Sequence, residues 1–247
     1  MGYYTSGMGS MMSGYLLSYW YYIIIVGPAL IFALIAQARV KRNFSKYSKV
    51  RNSRGLTGAQ AAQAVLNHYG ITNVAIEHVS GNLTDHFDPK SNVIRLSDEV
   101  YASTSIAAVG VACHEAGHAA QYAQSYLPIK LRNSILPICN FGSRFGIPIA
   151  IIGMFFSQPF GDYLITLGLI LYSLVAFFQF ATLPVEFNAS SRAIKVIDET
   201  SLLYDDEIGG AKKVLKAAAL TYVAALATSL ANLLRLVLMF SRRDSRR

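Results

Sequence analysis

Long stretches without a charged residue are the feature of this sequence that most restricts its fold. Residues 1–38 contain no Asp, Glu, Lys, Arg or His, and 23 uncharged residues separate Asp162 from Glu186. About 20 consecutive apolar residues are enough for a helix to cross the hydrocarbon core of a bilayer. The chain is also 53% hydrophobic and only 15% charged. Together these features predict an α-helical integral membrane protein rather than a soluble domain.

The first apolar segment, Tyr15 to about Ala38, predicts an uncleaved membrane anchor. Seven Lys or Arg residues and no acid follow it between Arg39 and Arg54. A cleaved signal peptide carries its positive charges before the apolar segment, not after it. The positive-inside rule therefore places the N-terminus outside and the basic segment in the cytoplasm. This position also favours a membrane flank over a nucleic-acid site.

The second and third apolar segments predict a transmembrane hairpin. They lie on either side of Asp162, and Gln158, Pro159 and Gly161 supply a polar turn between them. A hairpin returns the chain to the side of the membrane that it left. The residues before Arg144 and those after Pro184 should therefore share one face of the membrane.

A fourth apolar stretch, Ala217 to Leu234, leaves the number of transmembrane helices at three to four. A fourth crossing would place the basic tail 241–247 outside, against the positive-inside rule. The alternative is a helix that packs against the others without crossing. The sequence is compatible with both arrangements.

The remaining part of the chain predicts a small α+β soluble portion. Thr57 is suited to cap a helix that ends at Gly70, and residues 74–79 and 92–96 have the composition of short strands. A turn-rich segment lies between these strands. The predicted organisation has five parts: 1–42, an N-terminal transmembrane anchor with its basic flank; 43–140, a cytoplasmic portion; 141–185, the transmembrane hairpin; 186–216, a helix and loop; and 217–247, a C-terminal apolar helix with a basic tail.

Residues 114–118 read HEAGH within a predicted helix that covers about 104–124. On a helix, His114 and His118 lie one turn apart on the same face and can bind one Zn²⁺, with Glu115 placed to act on a metal-bound water. The alternative is a pair of structural histidines. It is less favourable, because a glutamate in an otherwise uncharged helix is costly without a task or a partner.

A catalytic zinc ion needs a third protein ligand, and no histidine follows His118. Glu186 is the best candidate, because the hairpin returns it to the face of the HEAGH helix. Asp162 lies at the far end of the hairpin, and the acids of 198–207 are typical of a solvated loop. The upstream histidines would need an unusual arrangement, although they stay possible: His68, His78 and His86.

Six segments, in order from about residue 55 to near the C-terminus, carry a resemblance to a known family: GLTGAQAAQAVL, NLTDHFDP, VIRLS, HEAGHAAQ, LPVEFNAS and AALTYVAAL. Together they resemble the YugP-like family of bacterial membrane zinc metallopeptidases. The resemblance implies a zincin-like soluble portion in a plasma-membrane protein. It also implies one zinc ion on His114, His118 and Glu186, with Glu115 as the catalytic base. Asn188 stands where the family is expected to have an aspartate, which predicts a weaker hold on a ligating histidine.

Other polar residues are weaker candidates for the same site. Tyr222 and Arg192 could stabilise an oxyanion, since no late histidine is present, although packing or surface roles are the better interpretation. His86 could lie near the site or belong to an ordinary turn. The VIRLS segment, 93–97, could be an edge strand that holds an extended peptide.

The sequence therefore predicts a membrane-anchored zinc endopeptidase whose active site faces the cytoplasm. It would hydrolyse membrane or membrane-proximal polypeptides in a bacterial plasma membrane, with the polypeptide and the bilayer as its partners and no nucleic acid. The oligomeric state is not predicted. Two alternatives remain: an intramembrane protease, and a zinc-stabilised scaffold or chaperone that does not cut its partner.

Overall fold

The computed structural model describes Trp20 and residues 22–244, with side chains as far as Ser241. Its helices and strands are a π-helical turn, Tyr22–Val26, followed by α1 Gly27–Tyr47, α2 Gly58–His68, β1 Ala75–His78, β2 His86–Asp88, β3 Val93–Leu96, α3 Ile106–Ala123, α4 Leu127–Gly153, α5 Phe160–Glu199 and α6 Asp205–Asp244. The predicted class, a helical membrane protein with a small α+β portion, is confirmed.

Four helical segments are long and apolar enough to cross a membrane: Tyr22–Tyr47, Leu127–Gly153, Phe160–Glu199 and Asp205–Ser241. The predicted first span begins at Tyr15, but residues 15–19 and 21 lie outside the described residues, as does the end of the basic tail, 245–247. The chain divides into two compact units. The apolar unit holds the described parts of Met1–Ile35, Ile135–Phe180 and Val223–Arg247, and the mixed unit holds Ala36–Ser134 and Ala181–Tyr222.

Small residues bring the hairpin helices of the apolar unit close together. A Cβ built on Gly146 of α4 would lie 2.9 Å from the carbonyl oxygen of Gly168 on α5. Small residues allow this kind of backbone approach between membrane helices. The end of α6 packs on the same pair, because Leu236 and Phe240 form a cluster with Ala150 and Ile165. The C-terminal apolar helix therefore packs against the predicted hairpin.

The mixed unit contains a three-stranded sheet in the order β1-β3-β2. β1 pairs with β3 in parallel, and β2 pairs with β3 antiparallel. β3 is therefore the central strand, and the prediction that VIRLS forms an edge strand for substrate is wrong. The segment 86–88, expected to be a turn, is instead the edge strand β2. Three residues are too short to show the alternation that identifies a strand from sequence.

The caps of α2 and α3 follow the sequence closely. The Thr57 hydroxyl accepts a hydrogen bond from the backbone N–H of Gln60 at 3.2 Å, and the Gln60 side chain accepts one from the Thr57 N–H at 2.9 Å. These reciprocal bonds form a capping box. Ser105 caps α3 by accepting from the N–H of Ala108 at 3.1 Å. Both helices thus begin where their polar caps are found in the sequence.

The later helices are longer than the sequence indicated. α5 continues without a break through Pro184, so Glu186 lies inside this helix instead of opening a new one. Proline is tolerated within membrane helices when neighbouring groups satisfy the backbone. The acids at 205–207, expected in a solvated loop, form the first turn of α6. Negative charge there interacts favourably with the helix dipole. Glu207 also accepts two hydrogen bonds from Ser53, each of 2.7 Å.

Candidate metal centre

Helix α3 presents two imidazoles on one face, and α5 brings a carboxylate to them. The rings of His114 and His118 lie edge to face with centroids 4.7 Å apart. The Oε2 atom of Glu186 lies 3.4 Å from Nε2 of His114 and 3.6 Å from Nε2 of His118. One potential ligand atom from each residue lies within 4.8 Å of the other two. The structure therefore brings together the three residues that the sequence analysis selected.

These separations suit three ligands of a single ion. Zinc binds histidine nitrogen and carboxylate oxygen at about 2.0–2.2 Å with tetrahedral geometry. Two ligand atoms at that radius lie about 3.3–3.6 Å apart, because the tetrahedral angle fixes their separation. The observed 3.4 and 3.6 Å are close to these values. The donor set, two imidazoles and one carboxylate, is also one that catalytic zinc sites use.

One carboxylate oxygen of Glu186 is buried in a position where a cation would stabilise it. Its side chain is only 4% exposed. Its Oε2 atom is buried without a hydrogen-bond donor among the described residues. An ionised oxygen that is removed from water and lacks a partner is costly. A metal ion between the three side chains would remove that cost, so the residues fit the ion that their chemistry indicates.

The carboxylates around His118 favour positive charge at the site. Burial of the His118 imidazole disfavours its charged form. The carboxylate of Glu186, at 3.6 Å, and the nearby charge of Glu115 outweigh that effect, so the pKa of His118 is raised above its ordinary value. The same negative potential would attract a divalent cation, and the cation would compete with the proton for the imidazole.

Glu115 lies beside the three potential ligands but is anchored elsewhere. Its Oε2 atom accepts a hydrogen bond of 3.0 Å from the backbone N–H of Phe87 in β2. The cluster of potential metal ligands within the described part of the chain does not include Glu115. Its position one residue after His114 thus leaves a carboxylate next to the site, held by an edge strand, as a general base requires.

Two further polar side chains contact the Nδ1 atoms of the two imidazoles. His118 Nδ1 lies 3.0 Å from the side-chain oxygen of Gln121, and His114 Nδ1 lies 3.1 Å from the hydroxyl of Ser190. Neither residue was predicted from the sequence. A signal was present, because Gln121 follows His118 by three residues and Ser190 follows Glu186 by four, which places each on the same helical face. No sequence pattern indicated that the backbone N–H of Phe87 would contact Glu115.

The weaker candidates fall in different places. Tyr222 lies within electrostatic range of both Glu186 and Glu115. Arg192 donates to Asn188 at 2.7 Å and lies over the rings of two tyrosines, as the packing interpretation predicts. His86 is exposed, and its Nδ1 contacts the carbonyl of Thr84 at 2.7 Å rather than the cluster.

Asn188 does not hold a ligating histidine directly. Its Oδ1 atom accepts from the side-chain nitrogen of Gln121 at 3.0 Å and from Nε of Arg192 at 2.7 Å. The expectation that residue 188 orients a ligand by its own hydrogen bond therefore needs correction. Asn188 reaches His118 through Gln121, because α5 places it beside the end of α3 and not beside the imidazole.

A multi-helix membrane chain in which an HExxH helix meets a carboxylate from a later helix belongs to the class of membrane zinc-metallopeptidase-like proteins. Residues 22–241 match the family described as "Putative neutral zinc metallopeptidase", and the chain belongs to this family. It is 48% identical over 219 residues to the Bacillus subtilis (strain 168) protein named "Putative membrane protease YugP". That match covers 89% of this chain and 96% of the relative. No solved structure matches significantly. The resemblance found in the sequence is thus confirmed.

Proposed function

We propose that the protein is a membrane-anchored zinc-dependent endopeptidase that holds one zinc ion per chain on His114, His118 and Glu186. The convergence of these three side chains carries the proposal, since their ligand atoms lie within 4.8 Å of one another although Glu186 comes from a different helix. The names of the family and of the Bacillus relative support a peptidase of this kind. When bound, the zinc ion would supply a Lewis acid that acidifies water and polarises the substrate carbonyl.

Glu115 is the general base in this proposal. One of its oxygens is held by the Phe87 N–H at 3.0 Å, which leaves the other free to take a proton from the attacking water. The same carboxyl group then gives the proton to the departing amine. Because one oxygen is fixed by backbone, the carboxylate needs little reorganisation at each step, and that restriction favours catalysis.

Tyr222 is the proposed donor to the developing oxyanion. It interacts electrostatically with both Glu115 and Glu186, so its hydroxyl belongs to the surroundings of the site. A phenol donates one hydrogen bond, and a donor aimed at the oxygen that gains charge lowers the barrier. Arg192 is not given this role, since its guanidinium donates to Asn188 and Gln124.

The substrate would be a polypeptide in an extended conformation. β2 pairs with β3 on one side only in the described sheet, and the Phe87 N–H on its other side points to Glu115. The Phe87 N–H is already bonded to Glu115, so an extended peptide that adds to this edge would be held by its own backbone N–H groups donating to the carbonyl groups of the edge, and side-chain sequence would restrict it little. This arrangement suits an endopeptidase that clips membrane or membrane-proximal polypeptides.

We place the site at the cytoplasmic surface of a bacterial plasma membrane. The basic segment 39–54 supports this side of the membrane by the positive-inside rule. The HEAGH helix, Ile106–Ala123, is not one of the four candidate spans, which favours a site near the membrane over one within it. The Bacillus relative supports a bacterial setting.

Metal analysis together with a peptide-cleavage assay tests the proposal. The wild-type protein should hold about one zinc ion per chain and cut an unfolded polypeptide. Glu115→Gln should retain the metal and lose cleavage, because the amide cannot act as a base. Absence of zinc from the wild type, or cleavage that survives Glu115→Gln, contradicts the proposal. A polypeptide-binding function that survives this substitution without any cleavage by the wild type favours the scaffold.

A further inference from the structure

Gln121 is a fully buried polar residue that the proposed chemistry leaves without a role. It lies in α3, and none of its surface is exposed. Its side chain makes three hydrogen bonds: to Nδ1 of His118 at 3.0 Å, to the carbonyl oxygen of Val185 at 2.8 Å and to Oδ1 of Asn188 at 3.0 Å. A buried amide whose oxygen and nitrogen both make hydrogen bonds has a single orientation. Here the bonding partners determine where the oxygen and the nitrogen lie.

The carbonyl of Val185 fixes how the Gln121 amide is turned. A carbonyl oxygen accepts hydrogen bonds and cannot donate them, so the Gln121 atom that faces it is the nitrogen. Amide orientations are assigned from the bonding network, and this partner leaves no alternative. The oxygen of Gln121 must then be the atom that lies 3.0 Å from His118.

The orientation of Gln121 in turn determines where His118 carries its proton. The Gln121 oxygen only accepts, so Nδ1 of His118 must donate and must therefore hold the hydrogen. A neutral imidazole carries one hydrogen, which leaves Nε2 with a free lone pair. That nitrogen is the one that lies 3.6 Å from Oε2 of Glu186.

A second link on the far side of Gln121 supports the same orientation. Nε of Arg192 can only donate, and it lies 2.7 Å from Oδ1 of Asn188. The oxygen of Asn188 is thereby turned towards Gln121, where it accepts from the second amide hydrogen at 3.0 Å. Both hydrogens of the Gln121 nitrogen are used, and each goes to an atom that accepts.

His114 lacks this constraint and offers an internal comparison. Its Nδ1 lies 3.1 Å from the hydroxyl of Ser190. A hydroxyl both donates and accepts, so Ser190 does not select the position of the hydrogen on His114. Of the two imidazoles, only His118 has its tautomer determined by its partner.

We propose that Gln121 is the positioning residue of the metal site: it holds His118 as the Nδ1–H tautomer and so keeps the Nε2 lone pair directed at the ion. The inference rests on the proposed function as regards the metal, but the tautomer exists in the metal-free protein. Partners of this kind typically change metal affinity about 10- to 100-fold when they are removed. Gln121 itself touches neither the ion nor the substrate.

Two substitutions separate this role from a merely structural one. Gln121→Glu keeps an acceptor for His118 and loses both donors, whereas Gln121→Met removes every hydrogen bond at similar volume. Gln124→Met is the matched control, since Gln124 accepts from Arg192 at 2.6 Å in the same network and does not contact His118 in the described structure. Zinc affinity of the full-length protein in detergent would be measured by competition with a chromophoric chelator.

We expect Gln121→Met to weaken zinc binding about 10- to 100-fold, Gln121→Glu to weaken it less because the acceptor for His118 is kept, and Gln124→Met to stay near the wild type. If Gln121 only joins α3 to the Val185 carbonyl, both of its variants lose affinity alike, and the proposal is overturned. Wild-type affinity in Gln121→Met would overturn it as well.

A spectroscopic measurement on the wild type needs no variant at residue 121. Nitrogen-15 NMR of the metal-free protein, labelled at histidine and held at a pH where the imidazoles are neutral, reports the tautomer of each ring. The His118 signal is assigned by its absence from the spectrum of His118→Gln, since the chain has five histidines. We expect His118 as Nδ1–H, and the Nε2–H form would overturn the inference even if zinc binds. If the wild type binds no zinc, the proposed function fails while this measurement still decides the tautomer.

Discussion

Gly117 of α3 lies directly against the backbone of Ala189 in α5. A Cβ built on Gly117 would lie 2.7 Å from the carbonyl oxygen of Ala189 and 3.3 Å from its carbonyl carbon. A contact of 2.7 Å essentially never occurs for a real Cβ atom, and the obstacle is backbone, which cannot rotate away. The glycine between the two histidines therefore allows the helix that carries Glu186 to come near enough to share an ion with them.

Gly117→Ala should separate the two helices at the metal site. We expect a loss of zinc content together with destabilisation of about 1–3 kcal/mol, because the added methyl group overpacks a closed interface. The measurement is thermal unfolding alongside metal analysis. Gly209→Ala is the matched control: Gly209 is also helical, but a Cβ there would meet nothing within 4 Å. That control should be neutral, or stabilising by up to about 1 kcal/mol. Equal effects of the two substitutions would contradict the packing argument.

Glu186→Gln should lower zinc occupancy and cleavage together. The amide is a poorer ligand than the carboxylate, and it would leave the two imidazoles without the negative charge that now lies 3.4 and 3.6 Å from them. Glu199→Gln is the control, since Glu199 lies on the same helix but is 47% exposed and pairs with Lys195. Zinc is measured after dialysis against a weak chelator. Full occupancy in Glu186→Gln would assign the third ligand elsewhere.

Asn188→Asp should leave zinc affinity near the wild-type value. Both bonds made by Asn188 end on Oδ1, which accepts from Gln121 and Arg192, and an aspartate offers the same acceptor. Asn188→Leu removes that acceptor but leaves Gln121 bonded to the Val185 carbonyl, so zinc binding should weaken by less than about 10-fold. The two variants are compared by chelator competition. A large gain in affinity from Asn188→Asp would show that charge at this position matters more than the hydrogen-bond pattern.

Phe87→Pro should reduce catalysis without removing the metal. Proline lacks the N–H that holds Glu115 at 3.0 Å, and an edge strand tolerates proline where the N–H points away from the sheet. A hydrogen bond to a charged group contributes about 1.5–3 kcal/mol, which corresponds to a fall in kcat of about 10- to 100-fold. Phe87→Leu keeps the N–H and controls for the lost ring. Equal kcat values in the two variants would show that the Phe87 N–H does not assist Glu115.

The three proposed metal ligands could be predicted because their positions depend on local periodicity and on the order of the membrane segments. The spacing of four between His114 and His118 fixes their common face on any helix. The absence of a later histidine favours an acid as the third ligand, and the predicted hairpin returns Glu186 to the same face of the membrane. Each step needed only the order of residues along the chain.

The groups that support those ligands could not be predicted in the same way. The bond from Gln121 to the Val185 carbonyl joins residues 64 positions apart and depends on how α3 is registered against α5. The bond from Phe87 to Glu115 depends on strand β2, whose three residues leave no pattern in the sequence. Long-range register is set by packing, and a single sequence does not display it.

The pairing of β2 with β3 has a consequence for how the chain tolerates insertions. Phe87 lies opposite Ile94, and its N–H points out of the sheet towards Glu115, while the neighbouring residues of the strand point the other way. A slip of one residue would turn this N–H into the sheet and move the Phe87 ring to the opposite face. A slip of two residues would bring residue 89 to this position, and residue 89 is proline and has no N–H to offer. The length of the turn 89–92 thus fixes which backbone N–H faces Glu115, the proposed general base.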